Sequence, residues 1–207
     1  VDVIDILKGL HLDKRLSPIK NNQRISPGLV SFLHPGIGFG GSCFPKDIKT
    51  ITSFAKRNNV TTPLLNSIIT INKNQYLKLF IAAEKNIKNY KNKKISVLGL
   101  SFKPGTTDVR ESPSFNIIKH LINKGAKVCA HDPMAIDEFS KKYKHKNLIF
   151  EKRLDCILKF SKIIFLLTSW PEYKTFIKKN KNKDIILVDG RRFISKDNVK
   201  NYCGIGI

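Results

Sequence analysis

Beyond residue 94 the apolar residues come in short runs rather than in strict alternation. Ile95–Leu100, Lys127–His131, Leu148–Phe150, Ile163–Thr168 and Ile185–Asp189 read as strands. Between them apolar positions recur at helical spacing, which predicts helices over Ser114–Lys124, Ala135–Tyr143, Leu154–Phe160 and Glu172–Lys179. Continuous apolar strands separated by helices signal a parallel sheet covered on both faces. Residues 95–207 are therefore expected to form a doubly wound α/β domain. Ligands of such sheets bind at the carboxyl ends of the strands. Those ends are Ser101–Arg110, Asp132-Pro133, Thr168–Pro171 and Asp189–Arg192.

The first ninety residues follow another pattern. Val3, Ile6, Leu7 and Leu10 give Val1–Leu10 a helical stripe, and a helix beginning on the first residue suggests that it starts upstream. Residues 21–47 are loop-rich and hold Gly28, Gly36, Gly38, Gly40 and Gly41. Pro45-Lys46-Asp47 is expected to open a helix with Ile48, Ile51, Phe54 and Ala55 as its apolar stripe. Proline suits a first helical turn, and aspartate suits the positive end of the dipole. Pro63 starts a helix expected to run to about Tyr90, burying Leu64, Leu65, Ile68, Ile71, Tyr76, Leu79, Phe80 and Ala83. At about 1.5 Å per residue it would be ~40 Å long, the kind of helix that links domains or builds a dimer core. The charged stretch Lys91–Lys94 sets the expected boundary: a helical domain over 1–92 and the sheet domain over 93–207.

Composition narrows the picture. At 41% hydrophobic and 26% charged residues, the 207-residue chain is globular. No apolar run reaches the roughly 18 residues of a membrane-spanning helix. Val1-Asp2-Val3 lacks the basic start of a signal peptide and a methionine, which suggests a piece of a longer chain or a processed one. Cysteines 43, 129, 156 and 203 form no CxxC pair, which fits a reducing cytoplasm better than a disulfide framework. Cys129 and Cys156 lie in apolar patterns and are expected to be small buried hydrophobes. The five histidines show no metal-ligand spacing. Net charge is +22, from 31 Lys but only 7 Arg. Lysine, isoleucine and asparagine share A/T-rich codons, so drift raises lysine without a selected binding face. Nucleic-acid readers favour arginine for bidentate contacts. A nucleic-acid partner is therefore not expected, although the field attracts anionic ligands such as nucleotides.

Two stretches carry candidate chemistry. In Gly36-Ile37-Gly38-Phe39-Gly40-Gly41-Ser42-Cys43-Phe44-Pro45-Lys46-Asp47, four glycines let the backbone approach a ligand closely. A thiol beside a helix start and a lysine has its thiolate favoured. Asp47 follows one helical turn on. A glycine turn followed by an inert cysteine is the plain alternative. In the second stretch, Val97–Pro113, a strand leads into a loop bearing Lys103 and Arg110, and Ser112-Pro113 opens a helix. Capping explains Ser112 and Pro113. It does not explain two cations at a strand's carboxyl end.

Gly38–Asp47 (GFGGSCFPKD) resembles the catalytic-cysteine motif of the UDP-glucose/GDP-mannose dehydrogenase family, and residues 101–114 (SFKPGTTDVRESPS) resemble its C-terminal signature. His131-Asp132-Pro133, Thr168–Glu172 and Asp189-Gly190-Arg191 match in the same order. The resemblance implies a helical central, dimerising segment followed by a Rossmann-like UDP-sugar-binding domain. It implies NAD as cofactor and two-step oxidation of a nucleotide-sugar C6 alcohol to a carboxylate through a thiohemiacetal and a thioester on Cys43. Asp47 would help activate water, and Lys46 and Arg110 would approach NAD. Phe39, Gly40 and Gly41 would pack on the sugar, with Phe32 and Leu33 over the substrate. Phe102, Lys103 and Arg191 would hold the UDP, with Arg192 an adjacent alternative to Arg191. Arg24 would reach the neighbouring subunit's substrate, which implies a homodimer through the central helix. His34, following Phe32-Leu33, is a further candidate for substrate contact. The family's N-terminal NAD-binding domain has no counterpart in this sequence, so the chain alone is expected to be inactive. UDP-glucose is the favoured substrate, with UDP-N-acetylhexosamines and GDP-mannose as alternatives. A noncatalytic nucleotide-sugar-binding or dimerisation module is the other class. Trp170 is expected to pack in the core or at a domain interface.

Overall fold

Helix α1 (Val3–Leu10) is capped by the Asp2 side chain, which accepts the Ile4 N–H at 2.9 Å. This computed structural model describes residues 1–25 and 33–207. Strands β1 (Ile19–Lys20) and β2 (Gln23–Arg24) form a two-residue hairpin. Its turn residues Asn21 and Asn22 both have positive φ, the backbone that such tight hairpins require. Helix α2 (Cys43–Arg57) begins two residues before the expected start at Pro45. The first-turn N–H groups of a helix have no partner in any case, so proline is tolerated at Pro45 and Cys43 enters the first turn.

The expected single helix from Pro63 to Tyr90 is two helices, α3 (Pro63–Gln75) and α4 (Leu77–Ala83), interrupted at Tyr76. Past Ala83 the chain leaves the helix through one tertiary contact and one local turn that competes with it. Asn86 Nδ2 donates to Cys203 Sγ at 3.1 Å, and Asn89 Oδ1 accepts the Lys91 N–H at 2.9 Å. Ile87 and Tyr90 enter the core, Tyr90 edge-on to Phe80. The expected burial also divides. Leu79, Phe80 and Ala83 of α4 are buried, whereas α3 buries no residue fully and Leu64 and Ile71 are 73% and 63% exposed.

The remaining elements are β3 (Lys94–Leu98), α5 (Pro113–Asn123), β4 (Lys127–His131), α6 (Ile136–Lys142), β5 (Leu148–Phe150), α7 (Ile157–Phe160), β6 (Ile163–Leu166), α8 (Pro171–Lys179), β7 (Ile186–Asp189) and β8 (Asn201–Gly204). The six strands β3–β8 form one parallel sheet in the order β5-β4-β3-β6-β7-β8. Strand β8 was not expected. Asn201-Tyr202-Cys203-Gly204 carries no apolar run, and it pairs at the edge beside β7. The predicted helix Leu154–Phe160 is a 3₁₀ turn, Leu154–Cys156, leading into the short α7, and Cys156 is only half-buried.

Alternate strand residues separate onto two faces. Ile95, Val97, Val128, Ala130, Phe165 and Val188 pack against α4, α5 and α6. Leu98, Cys129, Ile164, Leu166 and Leu187 pack against α7 and α8. Both faces are covered, as the apolar runs require. The strand order reverses between β3 and β6, so the crevice at their carboxyl ends is the topological switch point.

Candidate functional site

At the switch point the backbones of two strands nearly touch. Gly99, just after β3, has a φ of +105°, and a Cβ there would lie 2.5 Å from the Thr168 nitrogen. Only glycine fits. Thr168 Oγ1 donates to the Ser101 carbonyl at 2.7 Å. The buried Asp132 carboxylate, at the end of β4, ties three strand ends together. Its Oδ2 accepts the Leu100 N–H at 2.8 Å, the Ser101 N–H at 3.1 Å and the Trp170 indole N–H at 3.3 Å. Its Oδ1 accepts the Met134 and Ala135 N–H groups. Ser112 Oγ donates to the Leu100 carbonyl and Ser114 Oγ to the Gly99 carbonyl, which pins the return of the 99–112 loop.

The glycine-rich loop lies against this platform. Gly41 N–H donates to the Arg110 carbonyl at 2.8 Å. A Cβ on Gly40 would come within 2.4 Å of the Glu111 oxygen, and one on Gly41 within 2.8 Å of the Phe102 ring. From the other side, α3 grips the loop. Asn72 Oδ1 accepts the Phe39 N–H at 2.8 Å while its Nδ2 donates to the Phe39 carbonyl at 3.1 Å. Gln75 Nε2 donates to the Gly36 carbonyl at 2.9 Å. These two pins were not foreseen, because a polar residue within a helix is ordinarily a solvated one.

Arg191 joins the two loops. Its Nε donates to the Leu167 carbonyl at 2.8 Å, and its two terminal nitrogens lie 3.4 Å from the Gly38 carbonyl and 3.5 Å from the Phe102 carbonyl. Burial depresses its pKa to about 10, although Asp189 opposes the shift. Arg191 lines a pocket of about 500 Å³ together with His34, Phe39, Gly40, Phe44 and Phe102. Lys103 lines it too, its ammonium 5.5 Å from the Phe102 ring centroid. Arg192 points away from this pocket, toward Asp2, so the two adjacent arginines have separate surroundings.

A second cleft, of about 860 Å³, opens on the far side of the cysteine loop and gathers Lys46, Lys49, Arg57, Arg110 and Lys142, with Glu111 the only acid in its lining. The Asp108 carboxylate holds the Arg110 guanidinium at 2.8–3.1 Å. That contact raises the Arg110 pKa and lowers that of Asp108. Cys43 is exposed in the first turn of α2, at the end of the loop that separates pocket and cleft. Its neighbour Ser42 Oγ lies 3.8 Å from the thiol sulfur. Asp47, one turn on, has Lys46 Nζ at 3.4 Å.

The fold thus gathers Phe39, Gly40, Gly41, Cys43, Lys46, Asp47, Phe102, Lys103, Arg110 and Arg191 around one loop. Leu33 is 49% exposed and does not line the pocket. Arg24 is held at the hairpin, where its Nη1 donates to the carbonyls of His11, Leu12 and Ser17. Phe32 lies outside the described residues. Asp132 stood at a recognised strand end, but nothing in the sequence marked it as the hub.

A six-stranded, doubly wound parallel sheet with a glycine-rich, cysteine-bearing loop over its switch point defines a Rossmann-like α/β protein. The chain belongs to the UDP-glucose/GDP-mannose dehydrogenase family: residues 1–74 match the family's central domain and residues 96–196 its UDP binding domain. It is 34% identical over 204 residues to a UDP-glucose 6-dehydrogenase of Rickettsia bellii, an alignment covering 97% of this chain and 44% of the relative. Among solved structures it resembles a UDP-glucose dehydrogenase from Pyrobaculum islandicum (TM-score 0.82, 27% identity). It also resembles a UDP-D-ManNAc dehydrogenase from Pyrococcus horikoshii (TM-score 0.72, 27% identity). Both matches cover 100% of this chain and 44% of the other. The chain therefore spans less than half the length of the relatives it matches.

Proposed function

We propose that this chain is the substrate-binding portion of an NAD-dependent nucleotide-sugar 6-dehydrogenase acting on UDP-glucose. The observation that carries the reading is the exposed Cys43 on a glycine loop pinned between α3 and Arg191, beside one pocket and one cationic cleft. In this reading the first, helical domain spans 1–92, its last helix α4 packing onto the sheet of the UDP-sugar-binding domain at 93–207. Arg191, Lys103 and Phe102 hold the nucleotide, two of them as cations suited to a diphosphate. Phe39, Gly40 and Gly41 pack on the sugar and aim its C6 at Cys43. Loss of a hydride and a proton from the C6 alcohol gives an aldehyde, and the Cys43 thiol adds across it to give a thiohemiacetal. Loss of a second hydride from C6 and of the hydroxyl proton leaves a thioester, which water, oriented by Asp47, hydrolyses to the carboxylate with release of the Cys43 thiol.

The cleft fits a dinucleotide, because Lys46 and Arg110 offer cations to its diphosphate beside Cys43. NAD bound there supplies the hydride acceptor. Leu64 and Ile71 on α3, with Ile51 and Phe54 on α2, expose apolar side chains that support a homodimer through the helical segment. Arg24 then serves the partner's site. The unpaired cysteines fit a cytoplasmic setting.

The test has two arms. In a thermal-shift panel, UDP and UDP-glucose are expected to raise the melting midpoint of the chain, and Arg191→Ala to abolish the shift. A response to GDP-mannose alone, or to no nucleotide, overturns the substrate reading. In the assembled enzyme, Cys43→Ala is expected to abolish NADH formation from UDP-glucose. Turnover at the wild-type rate overturns the nucleophile assignment.

A further inference from the structure

Two adjacent arginines leave β7 in opposite directions. Arg191 turns toward the cysteine loop. Arg192 has a φ of +51°, in the left-handed region that arginine seldom adopts. The reversal buries its side chain to 4% exposure, paired with Asp2. The guanidinium carbon lies 5.7 Å from the Tyr202 ring centroid. Its Nε and Nη1 have no partner among the described residues. A buried cation with one carboxylate partner is strongly dependent on it, since losing the partner leaves a desolvated charge.

Asp2 is itself fixed. It caps α1 through the Ile4 N–H, and Lys196 Nζ lies 3.6 Å from its second oxygen. Val3 N–H donates to the Gly206 carbonyl at 3.0 Å, so α1 is docked beyond the end of β8. On the other side of Arg192, Tyr202 OH donates to Asp189 Oδ2 at 3.1 Å. The buried Asp189 accepts the Arg191 N–H at 2.9 Å and the Ile194 N–H at 2.8 Å, holding both ends of the turn after β7. An unbroken line of contacts thus runs from the cap of α1 through Arg192, Tyr202 and Asp189 to the backbone of Arg191.

We propose that the buried Asp2–Arg192 pair is a positioning device that sets the Arg191 guanidinium in the nucleotide pocket and so couples the docking of α1 to nucleoside-diphosphate binding. The proposal rests on the reading of that pocket as the UDP site. Arg192 does not line the pocket; it acts through the turn it shares with Arg191. A purely structural pair lowers stability when broken but leaves the ligand affinity of the folded chain unchanged.

The experiment is calorimetric titration of the full chain with UDP, for the wild type and for Asp2→Asn, Arg192→Asn and Arg192→Lys. Asparagine tolerates the left-handed backbone, so Arg192→Asn keeps the turn and removes the charge. Both Asn variants are expected to weaken UDP binding at least tenfold, and Arg192→Lys to restore most of it. The double variant is expected to bind no more weakly than Asp2→Asn alone, as for two ends of one contact. The Arg191 Nε–H resonance, which reports its bond to the Leu167 carbonyl, is expected to shift in both Asn variants. If Asp2→Asn does not fold, Arg192→Asn and Arg192→Lys carry the test. Variants that melt earlier yet bind UDP like the wild type overturn the device while the pocket reading stands. A wild type that does not bind UDP overturns the pocket reading and the proposal with it.

Discussion

Phe165, on the central strand β6, is fully buried, whereas Leu64 on α3 is 73% exposed. The contrast extends to their surroundings. The sheet holds two apolar clusters, one on each face, with α4 contributing Leu79, Phe80 and Ala83 to the first. Helices α2 and α3 expose Phe44, Ile51, Phe54, Leu64 and Ile71. What fixes the cysteine loop between these regions is one buried anchor, Ile37 in the first cluster, and a small set of directional contacts: Asn72, Gln75, the Gly41–Arg110 bond and Arg191. The sheet is thus held by burial on both faces, and the loop beyond Ile37 chiefly by hydrogen bonds. The two depend on different substitutions.

The largest effect is expected in the sheet. Phe165→Ala leaves a cavity in a closed core beside Phe80, whose ring centroid is 5.8 Å away. Such truncations cost about 3–5 kcal/mol. Leu64→Ala, on the exposed face of α3, is expected to stay within about 0.5 kcal/mol in the chain held monomeric by dilution. Urea unfolding of both variants checks the pair. Comparable losses would mean that α3 is packed in solution as tightly as the sheet, and the comparison would break.

A smaller, local effect is expected from Asn72→Ala. The substitution removes one donor and one acceptor from the Phe39 peptide at a cost of about 1–3 kcal/mol. Because the contact lies outside the sheet, hydrogen exchange at the Phe39 amide should accelerate while the β3 and β6 amides keep their protection. Equal acceleration in the strands would show that the loop and the sheet open as one unit.

These differences also explain what the sequence disclosed. The strands of the sheet interior were legible because burial on both faces writes itself as apolar runs, as in Ile163–Leu166. Strand β8 was not legible: it pairs at the edge, and Asn201 and Tyr202 are only half-buried. On α3, helical spacing located an apolar face but could not say what covers it. Leu64 and Ile71 fitted the stripe as well as Leu79 did, yet only Leu79 meets the sheet. The cysteine loop and its glycines were legible as a motif. Their supports were not: Asn72 reads as a solvated helix position, and Asp132 gathers N–H groups from loops that only the fold brings together.

The smallest effect sharpens the seam between the regions. His120, near the end of α5, lies against Phe80 of α4 with ring centroids 4.1 Å apart, and against Tyr76 at 6.1 Å. Burial lowers its pKa from 6.5, and the charge of Lys124 adds to the shift. A histidine with a depressed folded-state pKa binds fewer protons folded than unfolded as pH falls below about 6.5, so its contribution to stability is lost through that window as the medium is acidified. His131, buried at the end of β4, is lowered in the same direction by burial and contributes its own loss over that range. The wild-type slope is therefore a sum of the two. His120→Gln removes one contribution, and stability measured from neutral pH downward is expected to fall less steeply in the variant. Identical slopes would mean that His120 titrates in the folded chain as it does in water. The α4–α5 seam would then be open in solution, and α4 would belong with the hydrogen-bonded region rather than with the sheet.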